Sequence, residues 1–100
     1  MKLFIANRGE IARRIIRTAQ KLNWTTVAGY ADPDANAPFV LEASESIRIG
    51  PSALSESYLS AEAILNAAKA TEATAIHPGY GFLSENADFA QQVKDAGLVW

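Results

Sequence analysis

The sequence has 100 residues, of which 49% are hydrophobic, so it is long and apolar enough for one domain with a single core. Its formal net charge of −2 lacks the basic excess typical of nucleic-acid-binding proteins. The absence of cysteine excludes disulfides and thiolate metal sites and fits a reducing cytosol. The apolar run at the N-terminus is too short for a signal peptide or a membrane span. We therefore expect no nucleic-acid and no membrane partner.

The first predicted elements are a strand followed by a helix. Residues 3–6 form an apolar run typical of a buried strand. Asn7 is the expected N-cap of the helix, and Glu10 is its expected capping-box partner. The expected core face of this helix repeats at helical spacing and comprises Ile11, Ile15, Ala19 and Leu22. Asn23 is the expected end of the helix.

The rest of the chain continues the alternation. Further strands are predicted over residues 25–30, 46–49 and 73–77, with the beginning of a fifth at residues 98–100. Helical segments are predicted at residues 39–43, from Ser60 to about Lys69, and from Ser84 to Gly97. This order predicts an α/β fold, a small Rossmann-like doubly wound parallel sheet, truncated after the start of strand 5. Ligands of such sheets bind at the carboxyl ends of the strands.

The loop after the first strand lies where a dinucleotide-binding turn would be. A GxGxxG turn needs glycines for close approach to the pyrophosphate, but only Gly9 is present, and Glu10 would place a negative charge beside it. Asp32 follows the second strand, where a ribose-binding acid is expected, although the proline after it equally indicates a turn. Dinucleotide binding is therefore disfavoured, and Arg8 and Glu10 are expected to stabilise the turn by pairing with neighbours.

The loop after the fourth strand has the most distinctive composition. Two glycines flank Tyr80, so the backbone is open to a ligand and the ring can form the wall of a pocket. Ser84 is expected to begin a helix whose N-terminus favours an anion, and Glu85 fits the dipole of its first turn. His77 is expected to be a hydrogen-bonded structural residue. We expect no catalytic residue and no metal site in these 100 residues, because neither a nucleophile–base pair nor a ligand cluster is evident.

The first predicted helix also carries basic residues away from its apolar face, namely Arg13, Arg14, Arg17 and Lys21. Such a stripe is typical of a solvated surface, and cations near the C-terminus of a helix complement its dipole. A partner interface is the alternative interpretation.

Two segments of the sequence, residues 4–12 and 75–86, closely resemble the opening domain of biotin carboxylases. That family includes acetyl-, propionyl-, methylcrotonyl-, pyruvate and urea carboxylases. Asp32, the Ile-Gly-Pro turn at residues 49–51 and the Ser-Tyr-Leu segment at residues 57–59 also match. The resemblance covers essentially the whole chain. It implies one N-terminal (pre-ATP-grasp) domain over residues 1–100, with the ATP-grasp and C-terminal domains absent.

The resemblance implies an ATP-dependent ligase as the full-length protein. ATP and Mg²⁺ activate bicarbonate, and biotin on a carrier domain is then carboxylated. The ATP, Mg²⁺ and bicarbonate sites of the family lie beyond residue 100, so this segment alone is expected to be inactive. The implied partners are the rest of the carboxylase chain, the biotin carboxyl carrier domain, a carboxyltransferase and a second copy in a homodimer. The implied location is the cytoplasm, or the mitochondrial matrix in a eukaryote.

The resemblance also assigns roles to residues. Tyr80 is implied to be a wall of the biotin pocket, and Gly81 is implied to line it through its backbone. The residues implied to hold the two loops in shape are Arg8, Glu10, His77, Gly79, Phe82, Glu85 and Asn86. Arg14 and Arg17 match a surface used in the two-fold dimer of bacterial family members. Lys21 stands where a family member has an acid, which removes an ion pair across that interface.

Two alternatives remain at this point. The chain resembles, less specifically, the pre-ATP-grasp domain of another ATP-grasp ligase, such as a carbamoyl-phosphate or purine-pathway enzyme, which shares the fold but not usually both motifs. The second alternative is a non-catalytic nucleotide-binding or assembly module that acts through its basic helix face. A lysine and glycine-rich ATP-grasp loop following Trp100 would decide for the carboxylase.

Overall fold

The computed structural model describes residues 1–100 and has strands and helices in alternation. The strands are β1 (Lys2–Ile5), β2 (Thr25–Ala31), β3 (Glu45–Gly50) and β4 (Ala75–His77). The α-helices are α1 (Gly9–Lys21), α2 (Pro38–Glu42), α3 (Ala61–Ala70) and α4 (Ala87–Asp95). Short 3₁₀ turns lie at Asp32–Asp34 and Leu54–Glu56. None of the helices combines the length and the apolarity needed to cross a membrane.

The strands form one parallel sheet in the order β3-β2-β1-β4. In the register of the sheet, Leu3 of the central strand β1 is paired with Thr26 on one side and with Ala75 on the other. Val99 forms a single parallel bridge to Ala75 next to β4, where the beginning of a fifth strand was predicted. Helices cover both faces of this sheet, so the predicted doubly wound α/β fold is confirmed.

The two faces of β1 belong to two separate cores, because successive side chains of a strand point to opposite sides. Leu3 and Ile5 pack with buried residues of α1 and α2, including Ile16 and Phe39. Phe4 packs on the other face with residues of α3 and α4, which include Ile64, Ala68, Phe89 and Val93. Phe4 and Ile5 are fully buried, and each side chain contributes about 2 kcal/mol through burial of apolar surface.

Helix α1 departs from the sequence prediction in its start and in its buried face. It begins at Gly9 after an extended Arg8, and no side chain caps it, so the predicted N-cap at Asn7 and the capping box with Glu10 were wrong. The buried residues are Ala12, Ile16 and Ala19, of which only the last was predicted. The small alanines on this face allow α1 to lie close to the sheet. The larger residues predicted for it are partly or largely exposed at its side: Ile11, Ile15 and Leu22.

Helix α4 starts later than the sequence predicted. Asn86 caps it by accepting a hydrogen bond from the backbone N–H of Phe89 at 2.9 Å, so the predicted cap at Ser84 was wrong. Glu85 therefore precedes the helix and does not lie in its first turn. The N–H of Ser84 instead donates to the carbonyl of Gly81 at 2.8 Å, which closes a turn before α4. The predicted cap of α3 at Ser60 is confirmed by its 3.1 Å hydrogen bond from the N–H of Ala63.

Candidate functional site

Two loops meet at the carboxyl ends of the neighbouring strands β1 and β4. The side chain of Asn7, which is 1% exposed, joins them. Its Nδ2 donates to the carbonyl oxygens of Pro78 at 2.8 Å and Tyr80 at 2.7 Å. Its Oδ1 accepts a hydrogen bond from the N–H of Arg8 at 2.8 Å. We call the segment after β4, residues 78–83, the tyrosine loop. These hydrogen bonds join it to the loop after β1, so the two loops form one unit.

The backbone of the tyrosine loop needs glycine at its first turn. Gly79 has a φ of +68°, and a Cβ there would lie 2.8 Å from both Asn7 Nδ2 and Ile11 Cγ2. Its N–H donates to Nδ1 of His77 at 3.0 Å. Partial burial lowers the pKa of His77, which favours the neutral imidazole that can accept this hydrogen bond. The following side chain, Tyr80, is 81% exposed.

A buried carboxylate lies beside these loops. Asp34 accepts two hydrogen bonds from Arg8, at 2.7 Å from Nε and 2.6 Å from Nη2, and one from the hydroxyl of Tyr58 at 2.8 Å. The Tyr58 oxygen in turn accepts from the N–H of Ala31 at 3.2 Å. The hydrogen bonds from Arg8 hold the pKa of Asp34 below its ordinary value, despite its burial. Burial is the main cause that raises the pKa of Tyr58, so its phenol is protonated and donates at neutral pH.

This cluster also contacts the far end of the tyrosine loop. The ring of Phe82 stacks on that of Tyr58, with centroids 5.3 Å apart and planes 14° apart. The guanidinium of Arg8 lies 5.9 Å from the centre of the same Tyr58 ring. The loop is therefore held by Asn7 at residues 78 and 80 and by Tyr58 at residue 82. Tyr80 projects its side chain from between these contacts.

Two depressions border Tyr80. The loop cleft lies between the start of α1 and the tyrosine loop, and its walls include Arg8, Glu10, Tyr80, Gly81 and Phe82. The outer groove runs along the exposed side of α1, has a volume of about 590 Å³, and is lined mainly by apolar residues. Its lining includes Ile11, Arg14, Ile15, Leu22, Trp24 and Tyr80. The structure thus places the predicted wall residue Tyr80 in the lining of both depressions.

Not all of the other residues predicted to support the loops make contacts that could do so. Glu10 borders the loop cleft but pairs only with residues of its own helix, Arg13 at 3.4 Å and Arg17 at 3.6 Å. Glu85 makes no side-chain hydrogen bond or ion pair, and Asn86 caps α4. Arg8, His77, Gly79 and Phe82 make the hydrogen bonds and ring contacts described above, whereas Glu10 and Glu85 make no hydrogen bond or ion pair to the tyrosine loop.

The basic stripe of α1 divides into two groups. Arg13 and Arg17 face Glu42 of α2, at 2.6 Å and 3.7 Å, and so join the two helices. Arg14 and Lys21 have no carboxylate within ion-pair distance, and Arg14 lines the outer groove. Arg14, Arg17 and Lys21 are exposed, as expected of a solvated stripe, and Arg13 and Arg17 in addition join α1 to α2.

Sequence reasoning missed the three buried polar groups that organise the site. Asn7 was expected to cap a helix, and Asp34 and Tyr58 were not singled out individually. The acid considered in that region, Asp32, is exposed and pairs with Arg48 at 2.6 Å. The sequence did contain a signal for Tyr58, because residues 57–59 match the family pattern. The structure contains no group of three or more His, Cys, Asp or Glu side chains placed to hold a metal ion.

The family model for the biotin carboxylase N-terminal domain matches residues 1–100. The chain belongs to that family. This membership favours the biotin carboxylase interpretation over the pre-ATP-grasp domain of another ligase and over an assembly module.

The proteins similar to this chain are much longer than it is. It is 57% identical over 99 residues to the biotin-dependent acyl-coenzyme A carboxylase alpha3 subunit of Mycobacterium leprae, covering 99% of this chain and 17% of that protein. It is also 57% identical to the mitochondrial methylcrotonoyl-CoA carboxylase subunit alpha of Oryza sativa, covering 99% of this chain and 13% of that protein. The crystal structure of Kluyveromyces lactis urea carboxylase superposes with a TM-score of 0.95 at 45% identity, covering 97% of this chain and 9% of that one.

Proposed function

We propose that this chain is the N-terminal domain of a longer biotin carboxylase. That enzyme is the ATP- and bicarbonate-dependent ligase that carboxylates biotin on a carrier domain, the first half-reaction of a biotin-dependent carboxylase. The observation that carries the proposal is the family match over residues 1–100 together with an exposed Tyr80 on a loop held by buried polar groups. The domain serves the enzyme by shaping a pocket.

Tyr80 and Gly81 are the residues we assign to biotin. The exposed phenol ring offers a flat wall against which the fused rings of biotin can pack, and Gly81 offers backbone groups without a side chain in the way. Arg8, His77, Gly79 and Phe82 keep the loop in shape through the contacts described above. ATP and Mg²⁺ serve to activate bicarbonate, and we assign the residues that bind them to the rest of the enzyme.

The acceptor of the carboxyl group is not chosen by this domain. The similar proteins are named for acyl-CoA, methylcrotonoyl-CoA and urea, although the matched segment is 45% to 57% identical in all of them. We assign the choice to a carboxyltransferase, which together with the carrier domain and the rest of the carboxylase chain makes up the partners. A protein of this kind would act in the cytoplasm, or in the mitochondrial matrix of a eukaryote.

The outer groove of α1 fits a second copy of the enzyme. Ile11, Ile15 and Leu22 expose apolar surface that is disfavoured in water, and Arg14 is available at its edge without an internal partner. Arg17 is engaged with Glu10 and Glu42, and Lys21 adds a cation, so apolar contact rather than ion pairing would supply the affinity. Ile15→Asp in the full-length enzyme should give monomers in sedimentation velocity. An unchanged dimer would refute this interface.

Replacing Tyr80 tests the function. In the full-length enzyme, Tyr80→Ala should raise the KM for free biotin about tenfold, because loss of an aromatic contact costs on the order of 1 kcal/mol or more. Tyr80→Phe should retain the wall and the KM. The KM for ATP should not change in either variant. An unchanged KM for biotin in Tyr80→Ala would contradict the assignment, as would bicarbonate-dependent ATP turnover by the 100-residue chain alone.

A further inference from the structure

Asn7 has a buried side chain whose amide serves neither the helix nor the sheet. Helix α1 begins two residues later and has no side-chain cap, so Asn7 is not needed to start it. Its amide nitrogen donates to two carbonyls of the tyrosine loop, those of residues 78 and 80. Its amide oxygen accepts the N–H of Arg8 within its own loop, so both polar atoms of this side chain are hydrogen-bonded to the backbone and the nitrogen alone joins the two loops.

The shape of the tyrosine loop depends on that donor. The carbonyl oxygens of Pro78 and Tyr80 converge on one point, 2.8 Å and 2.7 Å from Nδ2, and their partial negative charges would repel each other without a donor between them. A neutral amide supplies two N–H donors and one acceptor, which no carboxylate or hydroxyl does. Glutamine would supply the same groups but is longer by a methylene, and the close contact of Gly79 with Asn7 leaves no room for it.

The exposed Tyr80 side chain is set by its backbone and not by its own packing. With 81% of the residue exposed, little of the protein contacts the ring, so the direction of the ring follows from the position of its main chain. One of the two carbonyls that Asn7 holds belongs to Tyr80 itself. We infer that Asn7 is a positioning residue for the biotin-pocket wall, acting on Tyr80 through its carbonyl without contacting biotin. This inference rests on the function proposed above.

The test compares isosteric variants in the full-length enzyme with free biotin as the varied substrate. Asn7→Asp preserves size but turns an oxygen toward the two carbonyls, and it should raise the KM for biotin about tenfold through loss of two buried hydrogen bonds. The kcat at saturating biotin and the KM for ATP should change less than about twofold, since neither depends on the loop. Asn66→Asp, the same chemical change on the exposed side of α3, is the matched control and should alter none of these values.

Two further variants separate positioning from loss of folding. Asn7→Ser removes the amide without adding charge and should give a KM for biotin between those of the wild type and Asn7→Asp. In the background of Tyr80→Ala, Asn7→Asp should add little, because its effect acts through the missing ring. Ile64→Val weakens the packing of the core but leaves the hydrogen bonds of Asn7 intact, so it should leave the KM for biotin as it is.

The outcomes distinguish the inference from the proposed function. An Asn7→Asp enzyme with wild-type KM for biotin, full additivity with Tyr80→Ala, or an equal rise in the KM for ATP each overturns the positioning role. If the wild-type enzyme carboxylates biotin and responds to Tyr80→Ala, the proposed function stands even then. If the wild type shows no biotin-dependent turnover, the proposed function fails and the inference fails with it.

Discussion

The hydroxyl of Tyr58 lies 2.8 Å from Oδ2 of Asp34, and these two residues connect three parts of the chain that are distant in sequence. Asp34 belongs to the 3₁₀ turn after β2, and Tyr58 follows the second such turn. Arg8 pairs with the same carboxylate, and Phe82 stacks on the same tyrosine ring. The buried acid thereby joins the ends of β1 and β2 to the tyrosine loop, in a place where an unpaired carboxylate would be strongly destabilising.

Removal of the Tyr58 hydroxyl tests this connection. Tyr58→Phe leaves the stack on Phe82 but deprives Asp34 of a donor and the N–H of Ala31 of an acceptor. The free energy of unfolding should fall by about 2 kcal/mol, the cost of leaving buried polar groups unsatisfied. Urea denaturation followed by circular dichroism measures the change. Tyr30→Phe is the matched control, because the Tyr30 hydroxyl makes no hydrogen bond, and a similar loss there would contradict the explanation.

The Arg8–Asp34 pair should make stability depend on acid. The pKa of Asp34 is lowered in the folded chain, so on acidification the unfolded chain takes up this proton first. The stabilisation is fully present above the unfolded pKa of about 4 and is lost as the pH falls through the lower folded value. Asp34→Asn should cost about 2 kcal/mol at pH 7, a buried-pair penalty reduced because half of the Arg8 side chain is exposed.

Unfolding by urea at a series of pH values between about 7 and 3 checks this prediction. The stability of Asp34→Asn should decline less steeply with acid than that of the wild type. Asp32→Asn is the control, since Asp32 also has a lowered pKa through Arg48 but is exposed. If the pH dependence of stability were reduced equally in both variants, burial of Asp34 would have no special effect.

Gly79 should be intolerant of a side chain for two reasons that can be separated. Gly79→Ala combines a φ of +68° with a clash against Asn7 and Ile11, and should destabilise the chain by about 3 kcal/mol. Gly97→Ala has a φ of +80° but open space around the new Cβ, so it should cost only about 1 kcal/mol. Thermal and urea unfolding measure both. Equal losses would show that the clash is relieved by movement of Asn7.

His77 should titrate below its ordinary pKa of 6.5, because burial disfavours the imidazolium. Protonation would also remove the acceptor that Nδ1 offers to the N–H of Gly79. The folded pKa is the lower one, so stability falls as the pH drops through it. The titration of the His77 ring protons by NMR checks the prediction directly, since the chain contains one histidine. A midpoint above 6.5 would contradict it.

Alternation of apolar strands with helices predicted the parallel doubly wound sheet, because buried parallel strands have few compatible arrangements. Local signals at Ser60, Asn23 and Gly97 also located helix ends correctly: the first caps α3, and the other two have positive φ beyond α1 and α4. The side of α1 that is buried was not predictable in the same way. Periodicity gives an apolar face, but which edge of that face is buried depends on how closely Ala12 and Ala19 approach the sheet.

The candidate site was predictable only where it depends on residues that are neighbours in the sequence. The exposed Tyr80 follows from glycines on either side, a local property of the sequence. Asn7 and Asp34 act on partners far away in the chain, the former over 71 and 73 residues and the latter over 24 and 26. Both types of residue also serve as helix caps and turn formers nearby, and the sequence alone favours that local use.

The position of Tyr80 between the loop cleft and the outer groove has a consequence for the freedom of its ring. Tyr80 lines both depressions, together with Ile11, so a rotation of its ring changes the wall of each. Any molecule that fills the groove would restrict the rotamers with which Tyr80 meets a molecule in the cleft. Occupancy of the outer groove and the shape of the loop cleft are in this way linked through the Tyr80 side chain.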